Sequence, residues 1–213
     1  MELRTWTFLV LSAAALSSAC SSTPAPESPS QDIPEPVQET PDPPKPKPCE
    51  ALEEKCESGA DTRAKIAKSS HVIHPINGWT YAQGADATVS QHSADGAALA
   101  IAEVETGTDA KQEPAKRDEA VEELAKQIGV TVPKKKVTWK KPLEEKAVGD
   151  LKIGLWQIDG AARGDKKGPL LIFAGPTGEG KVLLGIGFVP EDDSTGSDAS
   201  ILESIDSIAV AGK

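Results

Sequence analysis

Apolar and polar positions along the chain repeat in blocks, and the period changes from one block to the next. Residues 78–82 (Gly-Trp-Thr-Tyr-Ala) alternate and read as a first strand. Residues 87–92 and 97–106 flank Ala94, Asp95 and Gly96 and predict a hairpin. Over 114–128 the period lengthens, so that Val121, Leu124, Ala125 and Ile128 share one helical face. Pro114 suits the first turn of that helix and Gly129 its end. Residues 135–141 read as a strand with Val137 and Trp139 facing in, and 151–160, 170–175 and 181–189 as three more. The last block places Ile201, Leu202, Ile205 and Ile208 on one face of a second helix, with Ser197 as its cap. Strands, helix, strands, helix is an α+β order. It predicts an antiparallel sheet of about six to seven strands flanked by two main helices.

The blocks begin near residue 70, and 69–213 is enough chain for one domain with a real core. Trp79, Tyr81, Trp139, Trp156, Phe173 and Phe188 all lie there. What precedes it has a different character. Residues 1–19 have a short start carrying Arg4, an apolar core over 6–16 and then small residues, the three parts of an export signal. The core is far shorter than the roughly 20 residues a spanning helix needs. Residues 21–48 contain ten prolines and five acids and little that is apolar. Such a segment cannot bury enough surface to offset the entropy of ordering it. Taking 20–48 as a disordered, extended tether at about 3.1 Å per residue, its upper reach is on the order of 90 Å.

The join between leader and tether, Leu16-Ser17-Ser18-Ala19-Cys20, resembles the lipobox of bacterial lipoproteins. The resemblance implies that Cys20 becomes the first residue of the mature chain and carries the lipid, palmitate included, that holds it on a membrane. Several acyl chains hold a protein stably where one does not. Ser17 stands where the family usually has leucine, and Ser17 with Ala19 also suits ordinary signal peptidase, which would release a secreted protein. Ser21 follows the cysteine, where an aspartate would resemble an inner-membrane retention signal. The expectation is therefore export to the cell envelope with a lipid anchor, the outer membrane favoured over the inner.

With Cys20 lipidated, Cys49 and Cys56 remain as an even count in an oxidising compartment, within a short segment over 49–68. A straight helix would hold cysteines seven apart at about 10 Å, too far to bridge, so a disulfide requires the helix between them to break. A redox pair or a metal site are the other readings of the two thiols. They lack Cys-x-x-Cys spacing and have no nearby histidine.

Charge and motifs narrow the function by exclusion. A net charge of −10 repels polyanions, so the run Lys134, Lys135, Lys136, Val137, Thr138, Trp139, Lys140, Lys141 predicts a half-buried strand rather than a nucleic-acid surface. Contact with anionic lipid headgroups near the anchor is its minority reading. The stretch 175–181 matches the G-x-x-x-x-G-K of phosphate loops. Val182 replaces the metal-binding hydroxyl there, and a strand pattern follows where a helix is needed, so a hairpin turn is expected and no nucleotide. His71 and His74 are spaced for one helical face, but Pro75 argues against the helix, and a solvated domain edge is expected rather than a metal site. Paired acids Glu144–Glu145 and Asp192–Asp193 are expected in solvated turns. Gly185 and Gly187 share one strand face that a packed helix, or alternatively a ligand, can approach closely.

The element order over about 70–210, the Gly-Trp opening and the closing Ser200-Ile201-Leu202-Glu203-Ser204-Ile205 helix resemble the PsbP/Mog-type α/β/α sandwich. That resemblance transfers no catalytic residue and no cofactor, and implies a binding or assembly module. The expected function is a membrane-anchored envelope lipoprotein presenting a non-catalytic module to an envelope protein. The alternative is a carrier of a small or lipid-like ligand in a sheet–helix cleft, and a hydrolase ranks last.

Overall fold

The computed structural model describes residues 48–212 apart from Ser194; the leader, Cys20 and almost all of the tether lie outside these residues. A 3-10 turn (Leu52–Glu54) is followed by β1 (Ala64–Lys65), β2 (His71–Ile73), β3 (Thr80–Gln83), β4 (Thr88–Gln91) and β5 (Ala98–Glu105). Then come α1 (Glu113–Gln127), β6 (Val130–Thr131), β7 (Glu144–Val148), β8 (Leu151–Arg163), β9 (Lys166–Gly178), β10 (Lys181–Phe188), α2 (Ser197–Asp206) and β11 (Ala209–Val210). The domain is α+β with two helices. Its main sheet has eight strands rather than six to seven, in the order β3-β4-β5-β10-β9-β8-β6, with β7 also paired to β8. The additional strands are the short β6 and the edge strand β7, whose Glu-Glu-Lys start carries no apolar alternation. A second sheet, β1-β2-β11, is built from strands of two or three residues, too short to show a period.

Both faces of the main sheet are buried, which is why its central strands read as nearly continuous apolar runs. On β10, Val182, Leu184, Ile186 and Phe188 point to one core, where Val121, Leu124, Ala125 and Ile128 of α1 meet them. Leu183 points to the other core, closed by Ile201, Ile205 and Ile208 from α2 and its exit and by Ile66 and Ile73 from the region of the small sheet. The alternating Ala98, Ala100 and Ala102 of β5 belong to the α1 side, where small side chains let the helix sit close.

Residues 135–141 do not form the expected strand. Pro133 and Pro142 bracket the segment, and it crosses α1 as an irregular strap. Its inward side is as expected, since Val137 and Trp139 pack against the α1-side core. Ser197 does not cap α2 either. The N-cap position is Gly196, and Asp193 accepts from the backbone N–H groups of Ser197 and Asp198 at 3.0 and 3.2 Å. Burial raises the Asp193 pKa, but these bonds and those from Thr195 outweigh it and the net shift is downward.

At the outer edge of β3, a disulfide joins Cys49 to Cys56 with their Cα atoms 6.3 Å apart. The helix between them is broken, because Lys55 takes a left-handed conformation after the single 3-10 turn. The closed loop gives its carbonyls to the edge strand: Gln83 N–H donates to Cys49 and Tyr81 N–H to Cys56. Replacing both cysteines by serine should cost about 2.5 kcal/mol, the loop entropy of a short closed ring. The same change frees the β3 edge for pairing with another chain. Thermal melting would read the first effect, and concentration-dependent light scattering of the variant the second.

Candidate functional site

Helix α1 lies over the sheet with a groove on each flank. The first groove, of about 490 Å³, runs between α1 and the end of β5. Ala102, Val104, Ala120 and Leu124 form its apolar floor, while Glu103, Glu105, Glu119 and Glu123 make its walls mainly acidic. Lys68–Asp86 and Lys181–Glu103 ion pairs stand at its rim, at 2.9 and 3.2 Å. The second groove, of about 270 Å³, separates α1 from the strap and places Asp118, Glu119 and Glu122 opposite Lys134, Lys135 and Lys136.

The strap is held by two indoles. Trp139 and Trp156 meet edge to face with centroids 5.1 Å apart. Trp139 Nε1–H donates to Asp118 Oδ1 at 2.8 Å, and Trp156 Nε1–H to the Thr138 carbonyl at 3.1 Å. The Arg117 guanidinium covers the Trp139 ring at 5.3 Å while pairing with Glu113. Leu143 N–H, at the strap's far end, bonds to the Leu155 carbonyl. The backbone of the strap is thus fixed, while Lys134, Lys135, Lys136, Lys140, Lys141 and Leu143 stand exposed on it.

Comparison with known protein families and with curated proteins finds no match for this chain.

The face of Gly185 and Gly187 is filled. A Cβ on Gly185 would stand 2.1 Å from Phe173 Cζ, and one on Gly187 2.9 Å from Ile201 Cγ2 of α2. Close helix approach, the first of the two readings, describes Gly187; at Gly185 the neighbour is an aromatic ring of the next strand. The G-x-x-x-x-G-K stretch forms the end of β9, a turn at Glu179 and Gly180, and the start of β10. Gly180, with φ of 67°, makes that turn, and Lys181 points to Glu103 rather than to an anion cradle.

The histidines do not lie at a solvated edge. His71 is buried in β2, with Nδ1 3.0 Å from Ser69 Oγ and Nε2 3.4 Å from Asp150 Oδ1. His74 Nδ1 lies 2.7 Å from the Thr62 carbonyl, and His92 stacks on Trp79 at 5.4 Å. Each therefore has a separate local partner. Among the described residues, Cys49, Glu54 and Cys56 bring metal-type ligand atoms together, but both sulfurs are committed to the disulfide. Glu144 and Glu145 stand exposed on the edge strand β7 rather than in a turn, and Glu145 pairs with Lys152 at 2.6 Å.

A buried polar node joins residues that no local sequence pattern connects. Asp95, in the β4–β5 turn, is 6% exposed. Its Oδ2 accepts from Thr195 Oγ1 and Ser197 Oγ, and its Oδ1 accepts from Ala97 N–H and lies 2.9 Å from His92 Nδ1. Burial alone would raise its pKa. The hydrogen bonds from Thr195, Ala97, Ser197 and His92 together win, and its carboxyl sits well below the usual carboxylate range. Arg163 grips the same turn from the other side, donating to the Gly96 carbonyl, Gln91 Oε1 and the Ile128 carbonyl at 2.7–2.8 Å. The turn thereby couples the end of α1 to the start of α2. The node is structural support for the α1 surface, since none of its groups opens into either groove.

Proposed function

We propose that this chain is an exported, lipid-anchored envelope protein that presents a non-catalytic binding or assembly module at the end of an extended tether. The observation that carries the reading is the leader over 1–19 with Cys20 directly after it, followed by the proline-rich tract that precedes the domain. The resemblance to PsbP/Mog-type domains supports the module reading as a fold analogy. The α1 face supports it too, since the groove between α1 and β5 has the mixed apolar floor and charged rim of a protein-contact surface. Ser21 after the cysteine favours the outer membrane. Among the described residues no helix is long and apolar enough to cross a bilayer.

Intact mass of the mature protein tests the anchor. The expected result is a chain beginning at Cys20 with added acyl mass, recovered with membranes, and a Cys20→Ala variant that loses both. A mature protein with Cys20 free and unmodified would overturn it. Recovery of an envelope protein by cross-linking through α1 tests the module, and wild-type yields identical to a variant with the α1 grooves blocked would count against it.

The sheet–helix groove of about 490 Å³ favours one second reading, a carrier of a small or lipid-like ligand. Native mass spectrometry of protein purified without detergent separates the two. A stoichiometric adduct supports the carrier and its absence the module.

A further inference from the structure

The strap places five exposed lysines within eight residues, in a chain whose net charge is −10. None of the five is ion-paired among the described residues, whereas six lysines elsewhere in the domain lie within 4 Å of a carboxylate. Asp118, Glu119 and Glu122 face the strap from α1, and the neutral Trp139 indole that Asp118 accepts from leaves its negative charge in place. Glu144 follows at its end. The positive charges remain in excess. Next to them Leu143 is 74% exposed, the one large apolar side chain so placed among the described residues.

We infer that the strap is a membrane-contact element that docks the domain on an anionic phospholipid surface, with lysines at the headgroups and Leu143 in the interface. This rests on the lipid-anchor reading, which supplies a bilayer within reach of the tether. A single exposed leucine among lysines is too small and too charged for a stable protein interface, which needs about 800 Å² on each partner. Lysine is a point charge that needs no matched geometry, so it suits diffuse, mobile headgroups. Each lysine near an anionic bilayer strengthens partitioning by about fivefold. That is weak singly, but an anchored domain meets the surface at the high effective concentration its tether sets. The indole clamp matters here, because a strap already held in place loses little freedom on docking. An extended polyanion such as a nucleic acid would also meet the acids of the rest of the surface, which a local bilayer contact avoids.

Vesicle flotation of the chain from residue 20 onward, carrying Cys20→Ala, tests the strap without the lipid. The expected result is recovery with vesicles of equal parts phosphatidylglycerol and phosphatidylcholine, and none with phosphatidylcholine alone. Binding should vanish in about 1 M salt, where the screening length is about 3 Å. Lys135→Glu with Lys140→Glu should weaken it by at least about 25-fold, from two losses of about fivefold. Leu143→Ser should weaken it further while leaving the thermal midpoint unchanged. Equal recovery with neutral vesicles, or indifference to the lysine reversals in a folded variant, would overturn the inference. So would equal binding to soluble polyphosphate with no dependence on Leu143. Acylation of Cys20 is read separately by mass, so a failed strap with an intact anchor leaves the proposed function standing.

Discussion

Asp95→Ala is expected to destabilise the domain by about 3–5 kcal/mol, the cost of removing one partner from a buried, charge-assisted cluster. The substitution leaves the Thr195 and Ser197 hydroxyls, the Ala97 N–H and the His92 ring facing a void, and Ser197 and Asp95 are both buried. It also uncouples the β4–β5 turn from the start of α2. Asp95→Asn should cost distinctly less, because its amide oxygen can still accept from Ala97 and the two hydroxyls can turn to accept from its NH₂. The pH dependence has a definite sign. The folded-state pKa of Asp95 is depressed, so its stabilisation is fully present above the unfolded value of about 3.9 and is lost as pH falls below it. Denaturant unfolding measured from neutral pH downward should show the gap between wild type and Asp95→Asn closing below pH of about 4. An Asp95→Ala variant as stable as wild type would remove the node from the account.

Much of this architecture is legible in sequence, for an identifiable reason. β10 and the middle stretches of β8 and β9 are buried on both faces and so read as apolar runs, and α1 shows a clean helical face because it covers a sheet on one side only. The short strands β1, β2, β6 and β11 escape because two or three residues define no period. The strap is misread because Val137 and Trp139 do alternate inward, but inward burial alone does not make a ladder, and the flanking prolines point away from one. Ser197 looks like a cap because it begins the helical pattern. Its hydroxyl is drawn instead to Asp95, 102 residues away, a contact no local pattern encodes. The same limit applies to the surface. The lysine run is visible as a run, whereas the grooves combine side chains from α1, β5, the strap and the loop before β4, and only the fold brings those together.

Gly185→Ala is expected to cost about 3 kcal/mol, the upper end of what overpacking a core typically costs, or more. Gly185 lies in β10 between Phe173 of β9 and Ile101 of β5, and the Phe173 ring fills the space above it, with three ring atoms 2.1–2.7 Å from where a Cβ would be. Phe173 is fully buried and shares its core with the α2 isoleucines, so the ring has no free volume into which to turn. The contact is side chain on backbone, which makes it separable. Phe173→Leu alone should cost moderately through a small void, yet in the Gly185→Ala background it should restore part of the stability. The coupling expected is about 1–3 kcal/mol in a double-mutant cycle read by denaturant unfolding. Gly187→Ala should be milder, near 1 kcal/mol, because its obstacles are the Cγ2 and Cδ1 methyls of Ile201 at 2.9 and 3.2 Å, on one side chain that can shift a few tenths of an ångström. The ordering of the two glycines carries functional weight. If Gly185→Ala were tolerated, the second face of the sheet would hold unfilled space beside β10, and a carried ligand would belong there. If it is as costly as expected, the space beside Gly185 is solid core, and a carried ligand does not belong there.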